Sequence, residues 1–180
     1  PMEEESYTLV TTAWPDRMDT LLKDERTRIT ALDVPCTEDE KCLTFETAHV
    51  TLKLFKKPFH FEMYDKEGKL LYQDLRERAF EKDQIGRLTH FSKVDREYDH
   101  FFGFGEKTGH LDKKGRRLRM SPKDAIGHDP ETGDPMYKHI PFYIRVNEKD
   151  RRPIGLFYHN SYDCVFDLGE ELSGYWERYC

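Results

Sequence analysis

A period of two residues in the apolar pattern constrains the fold of this chain more than any other feature. Residues 48–54 and 59–63 alternate between apolar and polar side chains, and this is the geometry of β-strands, whose successive side chains point to opposite faces. Residues 65–69 supply a turn that contains glycine, and residues 70–72 return as a partner strand. The sequence therefore predicts a β-hairpin in this region.

The same pattern returns near the carboxyl end of the chain. Ile140, Phe142, Ile144 and Val146 alternate with other residues, a polar turn follows at residues 147–152, and residues 154–158 are mostly apolar. A second hairpin is predicted here.

Shorter strands are predicted wherever turn-forming residues bound an apolar segment. Residues 73–83 fit helical and strand spacing about equally well, so their structure stays open. Many short strands with polar turns between them indicate an all-β fold, an antiparallel β-sandwich. Because no repeat or composition break divides the chain, we expect one domain over residues 1–180. The shorter predicted strands are residues 7–10, 28–34, 88–94, 101–104 and 163–168.

Charge and hydropathy restrict the partners of the chain. Charged residues make up 36% of the sequence and the net charge is -6, which argues against nucleic acid and anionic membranes as partners. Neutral sugars remain open as ligands. No apolar run approaches the ~20 residues that a membrane span requires, and no signal peptide opens the chain. We therefore expect a cytoplasmic location.

The cysteines do not indicate a metal site or a disulfide framework. Cys36, Cys42, Cys164 and Cys180 lack zinc-finger or C-x-x-C spacing. The chain is long enough to bury a substantial core without disulfide bonds or metal ions, so structural thiols are the simpler interpretation of these cysteines.

Other clusters of charged residues are also interpreted as structural. The carboxylates of Asp129, Glu131 and Asp134 lack the spacing of an EF-hand, and turn chemistry explains them better than a metal does. The basic run at residues 113–119 is predicted as a solvated hairpin tip. His139 is interpreted as a structural histidine. No metal ion or cofactor is expected.

Three sequence segments together resemble one known family. They read Phe-Gly-Phe-Gly-Glu at residues 102–106, Asp-Pro-Glu-Thr-Gly-Asp-Pro-Met-Tyr-Lys-His-Ile-Pro-Phe at residues 129–142, and Gly-Leu-Phe-Tyr-His-Asn-Ser-Tyr at residues 155–162. Together these three segments are similar to the N-terminal domain of glycoside hydrolase family 31, a family that contains α-glucosidases and α-xylosidases. The resemblance covers most of residues 42–170 and implies a β-sandwich of the galactose-mutarotase type, a supersandwich.

The resemblance also implies that the chemistry lies outside this chain. In that family, the two catalytic carboxylates of a retaining glycosidase belong to a (β/α)₈ barrel, which by itself takes ~250 residues. The segment Trp-Pro-Asp-Arg-Met contains Asp16, but it departs from the nucleophile motif of the family after this aspartate. Asp16 is therefore not assigned as the nucleophile. We expect no catalytic residue in this chain, an inactive isolated fragment, and packing of the sandwich on its own barrel.

Asp124 is the one residue for which the resemblance implies contact with substrate. In the family, an aspartate in a loop of the sandwich hydrogen-bonds the sugar nearest the nucleophile, and the matching segment here is residues 122–125. A carboxylate suits this task because it accepts from two neighbouring hydroxyls through strong hydrogen bonds. The alternative is an aspartate that caps a turn.

Two other functions and one assembly state remain open. A free-standing carbohydrate-binding module would bind sugar on an aromatic face. An aldose mutarotase would need a paired acid and base in one cleft, for which no convincing His and Glu pair is found. Because family members continue beyond the position of Cys180, we expect a fragment whose last strand could be missing. An open sheet edge would then favour a weak homodimer.

Overall fold

A computed structural model describes residues 34–158, 160 and 162–170, together with the backbone of Trp176–Tyr179. This part of the chain contains thirteen strands; it contains no helix, and hence none that could cross a membrane. The strand predicted at residues 7–10 and all but the last residue of the one at 28–34 lie outside the described residues. The strands are β1 Cys36–Glu38, β2 Cys42–Glu46, β3 Val50–Lys56, β4 Phe59–Asp65, β5 Leu70–Gln73, β6 Phe80–Lys82, β7 Leu88–Lys93, β8 Asp99–Gly105, β9 Arg117–Met120, β10 His139–Asn147, β11 Pro153–Phe157, β12 Cys164–Asp167 and β13 Trp176–Tyr179.

The strands form three sheets in which every pairing is antiparallel. The first sheet is a meander in the order β1-β2-β3-β4-β5, the second has the order β6-β7-β13-β12-β9, and the third has the order β11-β10-β8. The predicted all-β, antiparallel β-sandwich is therefore confirmed.

Both predicted hairpins are present. Strands β4 and β5 pair with Met63 opposite Tyr72, and the turn between them has Gly68 at a φ of 77°, a conformation that glycine adopts without strain. Strands β10 and β11 pair with Phe142 opposite Phe157. Local alternation and turn chemistry were sufficient to predict these units.

The ambiguous segment at residues 73–83 resolves into turns followed by β6. The Leu75 amide donates to the Phe91 carbonyl over 2.9 Å, and the Phe91 amide donates to the Ala79 carbonyl over 2.8 Å. These bonds to β7 satisfy backbone groups that a helix would otherwise pair internally. Long-range pairing thus decides a conformation that local spacing leaves open.

The buried core lies between the third sheet and strands β9 and β12. The rings of Phe104 and Tyr143 stack with centroids 4.9 Å apart, and Phe166 meets Phe104 edge-on at 5.1 Å. Gly105 lies so close to β10 that an added Cβ would be 2.8 Å from the Ile140 nitrogen. The Gly-Phe-Gly segment is therefore part of the framework of the sandwich. The core residues are Phe101, Phe104, Leu118, Met120, Tyr143, Cys164, Phe166 and Leu168.

The prediction of a solvated hairpin tip at residues 113–119 is wrong. Lys113 is only 4% exposed, and its ammonium group donates hydrogen bonds to the carbonyls of Thr108 and His110. Leu118 is fully buried, and β9 pairs with β12 rather than with a neighbouring strand in sequence. The aliphatic stem of a lysine covers apolar surface, which a count of charges in the sequence does not register.

Candidate functional site

The candidate site lies on the long connection between β9 and β10, residues 121–138. The base of this loop is closed by a hydrogen bond from the Lys123 amide to the Met136 carbonyl, 3.1 Å long. Asp124 and Tyr137 each follow one of these two residues, and the Tyr137 hydroxyl lies within reach of the Asp124 carboxylate. Both side chains are exposed. The site therefore presents a carboxylate and a phenol side by side to solvent.

The pairing changes the acidity of the phenol. The pKa of Tyr137 is raised above its ordinary value chiefly by its hydrogen bond to Asp124, with smaller contributions from burial and from the carboxylate charge, whereas the Ala125 amide acts in the opposite direction. Tyr137 consequently keeps its proton at neutral pH. A carboxylate retains further lone pairs that can accept hydrogen bonds from a ligand.

An almost fully buried ion pair fixes the loop to the sandwich. The Lys107 ammonium lies 2.6 Å from the Asp134 carboxylate, and the two side chains are 1% and 11% exposed. Lys107 also donates to the Arg119 carbonyl over 2.5 Å, and the Arg119 amide donates to Asp134 over 2.5 Å. Asp134 therefore joins the loop to the end of β8 and to β9.

Asp129, another carboxylate of the acidic cluster, stabilises a turn within the loop. Asp129 accepts hydrogen bonds from the Glu131 amide and the Thr132 hydroxyl, each 2.8 Å long. Its pKa is lowered, first by the Glu131 amide and then by Thr132. The interpretation as turn chemistry therefore holds for Asp129, whereas Asp134 binds Lys107, 27 residues away in the sequence. Across the described residues no three His, Cys, Asp or Glu side chains are arranged to hold a metal ion.

Two further contacts hold the carboxyl end of the loop against β8. The Glu106 amide donates to the Lys138 carbonyl, and the Lys138 amide donates to the Glu106 carboxylate, each over 3.1 Å. The Thr108 hydroxyl donates to the Gly133 carbonyl. These bonds and the ion pair make the loop a fixed projection of the sandwich, with Asp124 and Tyr137 at its exposed part.

A second polar constellation is buried between the first and second sheets. Asp74 is fully buried; His90 donates to it from Nε2 over 2.8 Å, and Nδ1 of the same ring lies 2.8 Å from the Tyr158 hydroxyl. Phe80 stacks on the imidazole at 4.5 Å. The histidine is 6% exposed, so this His–Asp pair faces packed aromatic rings and joins strands rather than lining a cleft.

An open cleft of about 450 Å³ lies beside β5, β7, β8 and β10. Arg145 at its floor donates to the carbonyls of Lys93 and Leu71 over 3.1 and 3.3 Å. The same guanidinium lies 5.2 Å from the ring centroid of Tyr72, which is 1% exposed. This ring is therefore covered and cannot serve as a platform for a sugar.

Sequence reasoning proposed Asp124 as a contact with substrate and did not include Tyr137 or the anchoring role of Lys107. Tyr137 stands inside the motif at residues 129–142, thirteen residues after Asp124. Its role depends on closure of the loop, for which the sequence carries no local signal. Lys107 follows the Gly-Phe-Gly-Glu segment, and a charged residue so close to an apolar strand end was the only available hint.

Comparison with known proteins places these features in context. Residues 3–167 match the family described as glycosyl hydrolase 31 N-terminal galactose mutarotase-like domain. The chain is 37% identical over 138 residues to alpha-glucosidase 2 of Bacillus thermoamyloliquefaciens, which covers 76% of this chain and 17% of that protein. The chain thus spans a small part of the length of this relative.

Solved structures give the same result for the fold. A GH31 dextranase of Flavobacterium johnsoniae, complexed with isomaltotriose, superposes with a TM-score of 0.69 at 29% identity, covering 82% of this chain and 17% of that chain. A cycloalternan-forming enzyme of Listeria monocytogenes, in complex with a pentasaccharide substrate, has a TM-score of 0.66 at 14% identity, covering 84% and 15%. The second likeness concerns the fold alone.

Proposed function

Because the chain belongs to the glycosyl hydrolase 31 N-terminal galactose mutarotase-like domain family, we propose that it is the N-terminal domain of a retaining α-glucosidase. The sandwich packs on a catalytic barrel that follows it in the polypeptide. It contributes the loop at residues 121–138 to the sugar-binding subsite. The two catalytic carboxylates belong to the barrel.

The observation that carries this proposal is the exposed pair of Asp124 and Tyr137 on an anchored loop. Sugar hydroxyls both donate and accept hydrogen bonds, so a carboxylate beside a phenol matches them. The ion pair between Lys107 and Asp134 holds the loop in place, so little entropy is lost when a ligand binds.

Kinetics of the full-length enzyme test the role of the loop. Asp124→Ala should lower kcat/KM for an α-glucoside by about 10-fold to 100-fold, the equivalent of one charged hydrogen bond of ~1.5 to 3 kcal/mol. Tyr137→Phe should have a smaller effect in the same direction because it only frees the carboxylate to move. Asp129→Asn, on the same loop but engaged in its own turn, is the matched control. Unchanged kcat/KM in Asp124→Ala would remove Asp124 from the subsite.

The isolated chain should not hydrolyse aryl α-glucosides, because it lacks the pair of carboxyl groups that retaining hydrolysis requires. Release of nitrophenol from such a substrate, above the level of a blank, would contradict this assignment.

A free-standing carbohydrate-binding module is the second candidate function. The exposed rings of Tyr137, Phe142 and Phe157 favour it, since sugars stack on accessible aromatic faces. Titration of the isolated chain with maltose separates the two proposals. Millimolar or tighter binding supports the module, whereas no binding supports a subsite that is complete only in the whole enzyme.

A further inference from the structure

Strand β10 is apolar on the side that faces away from the core. Its inward residues are Pro141, Tyr143 and Arg145, all buried. Its outward residues Ile140 and Phe142 are 51% and 40% exposed. A sheet with one face in water normally carries polar residues on that face. The apolar alternation that predicts this strand therefore belongs to its exposed face.

Neighbouring strands extend this apolar surface. Ile144 lies opposite Phe102 of β8, and Phe142 lies opposite Phe157 of β11. Partners in an antiparallel pair share a face of the sheet. We call the surface formed by these residues the outer face; it comprises Phe102, Ile140, Phe142, Ile144 and Phe157.

Gly155 leaves room for the ring of Phe142 on the outer face. A Cβ added at this position would be 3.0 Å from Cε2 and 3.1 Å from Cζ of the Phe142 ring. The ring therefore covers the backbone of β11 and presents its other side outward. An exposed apolar surface of this kind is typical of an interface with another protein surface.

The outer face is continuous with the candidate site. Strand β10 begins at His139, two residues after Tyr137, so the loop and the face meet at the end of the third sheet where β10, its central strand, begins. This loop is fixed to the sandwich. It can therefore reach a sugar in a neighbouring domain only if the adjacent surface of the sandwich approaches that domain. The domain that contacts the outer face should therefore be the domain that contains the rest of the sugar site.

The length of the relatives points to the same occupant. This chain spans 17% of the glucosidase and 17% of the dextranase it resembles, so most of such a polypeptide lies outside it. Interfaces between domains of one chain bury about 600 to 1,500 Å², and a patch of five large apolar side chains suits that range.

We propose that the outer face is the surface through which this domain docks on the catalytic domain of the same polypeptide. The inference rests on the proposed function and adds the surface, its residues and its orientation. Docking through this face turns Asp124 towards the catalytic domain and leaves the cleft beside Arg145 on the other side of the third sheet.

Thiol labelling tests the proposal. Ile144→Cys and Ile140→Cys place a thiol on the outer face, and Leu111→Cys, at a position that is 78% exposed and outside the face, is the control. Each variant is treated with maleimide in the 180-residue chain and in the full-length enzyme, and peptide mass spectrometry reads each cysteine separately. We expect similar rates at all three positions in the chain alone. In the full-length enzyme, labelling at 144 and 140 should slow by about tenfold or more, as for groups that react only on local opening, with no change at 111.

Other outcomes overturn the proposal in distinguishable ways. Equal labelling at 144 in both proteins, with kcat/KM still reduced by Asp124→Ala, refutes docking through this face and leaves the proposed function intact. Full-length protein that lacks glucosidase activity, or a reading frame without a catalytic domain, refutes both. Slow labelling of the chain alone also refutes the proposal. If dilution then restores fast labelling, a second copy of the chain covers the face. If removal of residues 1–33 restores it, that segment covers the face. If labelling slows only when maltose is added, the face binds sugar.

Discussion

The segment from β8 to β10 has two regions that obey different rules. Around Phe104 and Tyr143 it is fully buried and aromatic, and its rings stack on one another. Around Asp124 and Tyr137 it is exposed, and the carboxylate acts on the phenol beside it. The first region, together with the Lys107–Asp134 pair, sets the position of the second. Stability should therefore depend on the buried region, and recognition on the exposed one.

The largest expected effect on stability comes from the aromatic core. Phe166→Ala removes a ring that contacts Phe104 and Tyr158 and should lower the free energy of unfolding of the chain by about 3 to 5 kcal/mol. Urea denaturation measures this change. Leu111→Ala, at an exposed position, is the control and should change it by less than about 0.5 kcal/mol. Equal effects of the two substitutions would erase the distinction between the regions.

The anchor of the loop should come next. Lys107→Met leaves the nearly buried carboxylate of Asp134 without its partner and should lower the free energy of unfolding by about 3 kcal/mol. Asp134→Leu leaves the Lys107 ammonium group without its partner and should lower the free energy of unfolding by a similar amount. The double variant should lose clearly less than the sum of the two because neither charge is then left alone. Additive losses in this double-mutant cycle would show that the pair does not act as a unit.

A smaller effect is expected in acid, at the edge of the buried region. Burial alone would raise the pKa of Asp112, but hydrogen bonds from His100 and from the amides of Phe101 and Lys114 outweigh it, so the pKa is lowered. A carboxyl with a lowered pKa stabilises the fold above its unfolded pKa of about 3.9, and this stabilisation is lost as the pH falls through the folded value.

Asp112→Asn removes the titrating group and tests this sign. The difference in stability between the parent chain and the variant should be constant near neutral pH and should shrink below about pH 4. Thermal denaturation across this range measures it. A difference that grows in acid would contradict the lowered pKa.

The smallest effect concerns the exposed region itself. Asp124→Asn weakens the hydrogen bond from Tyr137 and removes the carboxylate charge, so the pKa of that phenol should fall towards its ordinary value of about 10. NMR of carbon-labelled tyrosine, with Tyr137→Phe for assignment, follows the titration. An unchanged pKa would show that the two side chains do not pair in solution.

Local patterns predicted the hairpins because strand period and turn chemistry act within a few residues, as at Gly68. Pairing of Leu118 with Phe166 joins strands far apart in the sequence, and no local signal announces it. The burial of Lys113 was missed for the same reason. At the candidate site, Asp124 was predicted through the resemblance of its segment to a family motif. Its partner Tyr137 appears only when the loop closes.

A single substitution measured in two ways tests the central claim most directly. Asp124→Asn should change the free energy of unfolding of the chain by less than about 0.5 kcal/mol, and should lower kcat/KM of the full-length enzyme for an α-glucoside by about tenfold or more. Asp129→Asn should leave kcat/KM unchanged. If Asp124→Asn instead destabilises the chain and leaves kcat/KM intact, Asp124 caps a turn, and the loop is not part of the sugar site.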